Sequence, residues 1–142
     1  LLWTPHSLRR AHTVNDNVVS LREAFPQECF MSTVDAEERG IKNGDIVIMS
    51  SPYGKVLRPA KVLPTIIPGS VAMQDGAWIR IDEATGIDLG GDPNVLQAPK
   101  ASGQASQSWT GTIVQVEKYT GDIKLVPDKE CPIVMPVGIE EE

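Results

Sequence analysis

Glycine and proline punctuate the whole chain, 12 and 11 of them in 142 residues, and Val and Ile recur between them in short runs. That pattern suits short strands joined by tight turns and excludes a helical bundle. Asn43-Gly44 is the strongest turn signal, and the Asp45–Ser50 segment behind it, rich in β-branched residues, is the clearest strand. At roughly 100–200 residues per domain the chain builds one core. Hydrophobic residues at 41% and charged residues at 23% are ordinary for a folded, soluble domain. A formal net charge of -6 argues against a nucleic-acid partner, which would need a broadly basic surface, but leaves room for a local basic patch. No apolar run approaches the ~18–20 residues that span a bilayer, so direct membrane insertion is not expected.

Further elements follow along the chain. Leu1-Leu2-Trp3 reads as a short strand running into a turn-prone loop. Val18, Leu21, Ala24 and Phe25 have helical spacing, with Asn17 placed to cap the helix and Pro26 to stop it. A strand at Glu28–Met31 precedes a second helix, Val34–Arg39, which Ser32 or Thr33 caps and Gly40 ends. Lys55–Val62 returns from Ser51-Pro52-Tyr53-Gly54, although Pro59 cannot donate a ladder hydrogen bond and implies an edge or bulge. Ser70–Gln74 and Gly111–Tyr119 complete about six strands, separated by an irregular region reaching Ser108; loops of that length usually carry function. The Pro-rich tail from Thr120 reads as unstructured or as a packed, extended arm. Six strands and two short helices in one domain point to a small β-barrel with inserted helices.

Two segments carry candidate chemistry. His6, Arg9, Arg10 and His12 lie in the first dozen residues, ahead of the first acidic residue, Asp16. Guanidinium forks suit phosphate oxygens, and Ser7, Thr13 and backbone amides add neutral donors; the alternative is a solvated arm with no specific ligand. Gln74–Trp78 with Gly90–Leu96 forms the second. Its glycines let backbone approach a flat ligand, Asn94 can donate to and accept from a heterocycle edge, and Asp75 or Asp92 can accept from an amino group. The alternative there is a plain Asx turn at Asp92-Pro93-Asn94. Asp82, Glu83, Asp88 and Asp92 match no EF-hand spacing, and Cys29 and Cys131 form no zinc motif, their pairing being open. Phosphate-loop, nucleophile-elbow and His-Glu-x-x-His motifs are absent, so no catalytic residue and no metal ligand is assigned.

The ordered segments Thr4-Pro5-His6…Arg10-Ala11-His12-Thr13, Asp35-Ala36-x-x-Arg39-Gly40-Ile41-x-Asn43-Gly44-Asp45, Gly54, Pro68-Gly69-x-Val71, Gly76-Ala77-Trp78, Asn94-Val95-Leu96 and Val114–Lys118 together resemble the C-terminal molybdopterin-dinucleotide-binding domain of the dimethyl sulfoxide reductase family, most nearly that of the catalytic subunit of anaerobic dimethyl sulfoxide reductases. The resemblance covers about Leu2 to Tyr119, dividing the chain into a binding domain, 1–119, and an extension, 120–142. It implies a six-stranded double-psi β-barrel, of the aspartate-decarboxylase-like kind, that holds bis(molybdopterin guanine dinucleotide) for oxygen-atom transfer such as dimethyl sulfoxide reduction in anaerobic respiration. By matching positions, Thr4, His6, Arg10, His12, Thr13 and Asn17, with Trp78 and Asn94, would contact that cofactor. Molybdenum would be held mainly by other domains, and an iron–sulfur cluster by the N-terminal part. The start at Leu1 rather than Met fits a segment of a longer polypeptide, one that does not turn over alone. Implied partners are the preceding domains, an iron–sulfur electron-transfer subunit and a membrane anchor subunit, on the periplasmic side of a bacterial membrane. Two departures stand out: Ser32-Thr33 replaces the usual Asn-Pro, and Gln97 replaces a common Thr. A competing reading is a double-psi barrel acting as a protein-interaction scaffold without a small ligand.

Overall fold

The computed structural model describes residues 1–101, 103 and 111–130. Gly44 takes a positive φ of 87° and sends the chain directly into β3, Ile46–Ser50, as the Asn-Gly signal predicts. Along β3 burial alternates, and Val47 and Met49 are wholly buried. The return strand β4, Lys55–Leu63, pairs antiparallel with β3 from Lys55 to Pro59 and then parallel with β2, Cys29–Ser32, from Ala60 to Leu63. Pro59 therefore lies in a central strand, not at an edge or bulge. It falls where one ladder hands over to the other, and the Ala60 amide, bonded to the Asp45 carbonyl at 2.8 Å, resumes the pairing.

With β1 Leu2–Trp3, β5 Val71–Ala72 and β6 Gln115–Lys118 the sheet runs β1-β5-β2-β4-β3-β6. Both β5 and β6 are shorter than the alternation predicts. The approach to β6 is used elsewhere: the Leu2 amide donates to the Thr112 carbonyl at 2.9 Å, so the sheet's two ends meet and the layer curls into a half-barrel. Inside lie Leu2, Cys29, Met31, Val47, Met49, Val56, Met73, Leu96 and Val116. Each larger side chain among them stabilises the fold by about 1.5–3 kcal/mol relative to exposure. Burial pushes the free thiol of Cys29 up to about 12; Cys131 lies outside the described residues.

The two helices are short. Helix α2, Thr33–Glu38, is capped as expected: Ser32 Oγ accepts from the Asp35 amide at 3.0 Å and donates to the Asp35 carboxylate at 2.7 Å. That carboxylate also accepts from the Gly69 amide, tying the helix to the turn before β5. Helix α1, Val19–Ala24, begins later than expected. Its cap is Val18, with no side-chain bond, and Asn17 is exposed outside it, because the approach is shaped by Asn15 at φ 72°.

Residues 120–130 are a packed arm ending in a 3-10 turn, Asp128–Glu130. Asp128 enters the interior and accepts from Arg9, Arg58 and the Gln27 amide. Burial alone would raise its pKa, but Arg58, the Gln27 amide and Arg9 outweigh that and hold it below the ordinary carboxylate value. Asp128→Ala strips a buried carboxylate from two guanidinium groups and should cost about 3–5 kcal/mol, read as a lowered urea midpoint. Because the folded pKa of Asp128 is depressed, its contribution is complete above the unfolded value near 4 and disappears as pH falls through the folded one. Acid titration of the variant should accordingly show a shallower loss of stability below about pH 4 than the parent. In native protein at pH 8, Cys29 should resist iodoacetamide until denaturant is added, a contrast that peptide mapping would detect.

Candidate functional site

A polar cluster beneath one end of the sheet positions three loops. Asp16, at the foot of the N-terminal loop, takes Arg9 at 2.6 Å and Arg10 at 2.8 Å on the same oxygen, while its other oxygen accepts from the Trp78 amide at 3.0 Å. Burial raises the Asp16 pKa, yet the Trp78 amide and the two arginines overcome it and keep the group ionised. Gln27 is fully buried: its Oε1 accepts from Arg10, and its Nε2 donates to the carbonyls of Gln74 and Gly91. Arg58 in β4 completes the frame, bonding the carbonyls of Gln27 and Leu89. The third loop, which leads to Asn94, is organised by Asp88, whose carboxylate accepts from the amides of Arg80, Gly90, Gly91 and Asp92. Asp88 is wholly buried and committed to these amides, so it is not free for calcium, while Asp92 Oδ1 accepts from the Asn94 amide and caps the 3-10 turn Pro93–Leu96.

Above this frame opens a cleft of about 480 Å³ lined by Thr4, His6, His12, Thr13, Asp75, Gly76, Pro93, Asn94 and Gln97. The N-terminal loop makes a tight turn in which Ala11 and Val14 exchange backbone bonds and His12 sits at φ 55°, projecting its ring outward. His6 and His12 meet edge to face with centroids 5.1 Å apart, and their Nδ1 atoms lie 3.5 and 4.0 Å from Asp75 Oδ2. Ligand atoms of these three residues fall within 4.8 Å of one another, a span that would admit a divalent cation, although both imidazoles are largely exposed.

Both candidate segments thus converge on one hollow: Thr4, His6, His12, Thr13 and Asn94 all line it. Three expected contacts stand apart. Arg10 is buried behind the wall, each of its three side-chain nitrogens engaged with Asp75 O, Asp16 or Gln27, so it supports the cleft instead of facing it. Trp78 lies outside the lining and donates its indole N–H to Thr13 O at 2.8 Å, clamping two loops together. Asn17 is exposed on the approach to α1. Nor do Arg9 and Arg10 form a cationic rim, because desolvating two guanidinium groups is tolerable only with the carboxylates and carbonyls that hold them inside. The frame residues Asp16, Gln27 and Asp128 carry no local motif, while Gln97 shows only as a departure from pattern.

Fold and cleft define a small curled β-domain with a mixed donor and acceptor surface lining one open cleft. Residues 1–115 match the family described as "Molydopterin dinucleotide binding domain", and the chain belongs to that family. It is 42% identical over 115 residues to the dimethyl sulfoxide reductase DmsA of Escherichia coli (strain K12), covering 80% of this chain and 14% of that protein. A trimethylamine-N-oxide reductase of Salmonella typhimurium (strain LT2) is 37% identical over 150 residues, covering 98% and 17%. The chain thus spans a small part of the relatives it matches. Among solved structures, acetylene hydratase from Pelobacter acetylenicus superposes with a TM-score of 0.69 at 15% identity, over 83% of this chain and 18% of that one, a likeness of fold. The residues present fit a pterin dinucleotide: hydroxyls, imidazoles, side-chain amides and one carboxylate converge on the cleft.

Close contact between the loops depends on Gly76. At φ 79° it presses so tightly on the 12–13 backbone that an added Cβ would overlap the His12 carbonyl. Gly76→Ala must therefore push the two loops apart, at a cost above about 1 kcal/mol. Urea unfolding should show the loss, and protease cutting between residues 11 and 15 should accelerate.

Proposed function

We propose that this domain closes over one side of bis(molybdopterin guanine dinucleotide) in a molybdenum-dependent oxidoreductase that reduces an S-oxide or N-oxide, dimethyl sulfoxide and trimethylamine N-oxide being the substrates named for its relatives. The observation that carries this is the convergence of Thr4, His6, His12, Thr13 and Asn94 on one polar cleft within residues matched to the family. When bound, the cofactor's molybdenum supplies the oxygen-atom transfer, and the protein supplies binding and orientation.

In this reading Thr4 and Thr13 give hydroxyl donors, His6 and His12 give imidazole N–H groups to anionic oxygens, and Asn94 meets a heterocycle edge. Asp75 sets the orientation of both imidazoles and accepts from an amino group. Arg10 is a positioning residue, acting through the Asp75 carbonyl and Asp16, and Trp78 acts likewise by holding Thr13. The curled sheet is assigned as a double-psi barrel of residues 1–119, and residues 120–130 of the 120–142 extension seal it below through Asp128. Preceding domains supply the metal ligands and an iron–sulfur cluster. Electrons arrive through an iron–sulfur subunit, and a membrane anchor subunit holds the assembly at the periplasmic face. No helix among the described residues is long and apolar enough to cross a membrane itself.

The test uses the full-length enzyme carrying His12→Ala with Asp75→Asn. Molybdenum and releasable GMP per polypeptide should both fall at least about tenfold, since two or more charge-assisted contacts of roughly 1.5–3 kcal/mol each are removed. Cofactor content equal to the parent's would discard this assignment of the cleft.

A further inference from the structure

We propose that His6, His12 and Asp75 hold one divalent transition-metal ion of the zinc class on the exposed wall of the cleft while no dinucleotide occupies it. The metal site stands on these three side chains alone, and only its emptying on cofactor arrival rests on the cofactor-binding reading above. Both Nδ1 atoms lie near the same carboxylate oxygen of Asp75, at 3.5 Å for His6 and 4.0 Å for His12, and the two rings meet edge to face. These separations are too long for good hydrogen bonds. They suit donors around a shared ion: with metal–ligand bonds of about 2.0–2.2 Å, tetrahedral donors sit about 3.3–3.6 Å apart. The three ligand atoms all fall within 4.8 Å of one another, so a small rotation of the imidazoles closes the set.

The roots of the triad are fixed and its tips are accessible. The Asp75 amide donates to the Pro5 carbonyl at 3.0 Å, and the Asp75 carbonyl accepts from Arg10 Nε at 3.0 Å, which ties this backbone to the buried frame. His12 is held at φ 55° by the close approach of Gly76 to its carbonyl. The side chains of His6 and His12 are nevertheless 72% and 80% exposed, and that of Asp75 27%, so an ion reaches all three and the rings have room to turn. Two imidazole nitrogens and one carboxylate oxygen make a donor set for Zn2+, Ni2+ or Cu2+, whereas Mg2+ and Ca2+ demand oxygen ligands. Three protein ligands leave a fourth position for water. Ion and dinucleotide draw on the same imidazoles, which makes the ion a competitor for the unloaded domain.

The experiment uses the full-length enzyme, cofactor-free and cofactor-loaded, with wild-type sequence, Asp75→Asn, or His6→Ala combined with His12→Asn, asparagine being tolerant of the left-handed backbone at residue 12. Zn2+ is titrated calorimetrically, and labelling of His6 and His12 by diethyl pyrocarbonate is followed by peptide mass with and without Zn2+. Wild-type apoenzyme should show one Zn2+ site that the double variant lacks. Asp75→Asn should bind that ion at least about tenfold more weakly, since even outer-shell partners of a metal contribute as much. Zn2+ should slow labelling of both imidazoles at least about tenfold by taking the lone pair that the reagent attacks, and Mg2+ should not. Labelling of both histidines at the same rate with Zn2+ as without overturns the metal site, and so does a Zn2+ isotherm identical in wild type and double variant; either result leaves the cofactor-binding reading intact. The labelling uses wild-type protein, so it stays decisive even where a variant fails to fold. Zn2+ held equally by cofactor-loaded enzyme supports the metal site and overturns the competition, and with it the placement of the dinucleotide on these imidazoles.

Discussion

The structure depends on a buried exchange between two carboxylates and four guanidinium groups. Asp16 and Asp128 face Arg9, Arg10, Arg22 and Arg58, and main-chain carbonyls at Phe25, Asp75, Leu89 and elsewhere supply the acceptors that two aspartates cannot. Burying so many charges gains little net stability over an apolar cluster of equal volume. What it confers is position, because a guanidinium fork and a carboxylate accept each other only in a narrow range of geometry. Three loops from distant parts of the chain are thereby held in register against the open end of the sheet.

That arrangement explains a division of labour within one short segment. The N-terminal loop contributes its neighbours to opposite sides: Arg9 and Arg10 turn inward, and His6, His12 and Thr13 turn toward the cleft. The left-handed His12 accomplishes the switch, and Gly76 makes room for it. A locally basic stretch thus becomes a neutralised scaffold below and a hydrogen-bonding surface above.

Much of the sheet was legible in the sequence, for the reason that a strand's alternation and a turn's glycine are local signals. Asn43-Gly44, β3 and the Ser32 cap of α2 fall where the residues indicate. The central place of β4 was not legible through Pro59, because a missing N–H marks an edge only inside a continuing ladder, and Pro59 is the last residue paired with β3 before Ala60 begins the pairing with β2. Likewise, grouping His6, His12 and Asn94 was possible from their segments and family resemblance, whereas the inward turn of Arg10 depends on Asp16, Gln27 and Asp75, whose convergence is a tertiary fact. Asp128 was the least accessible of all, one acid among several in a proline-rich tail that says nothing of the interior.

The reach of Asp128 also bears on when the domain can become whole. A ribosome delivers the N-terminal loop and β4 more than a hundred and about seventy residues, respectively, ahead of this aspartate's partnership being complete, as the separations of 119 and 70 positions between the partners require. Until the arm has emerged, Arg9 and Arg58 have no carboxylate from it, and the floor under the cleft stays unfinished. Maturation of the pocket thus waits on the arm, so a nascent chain that has not yet delivered Asp128 presents the rim without the foundation that keeps it in shape.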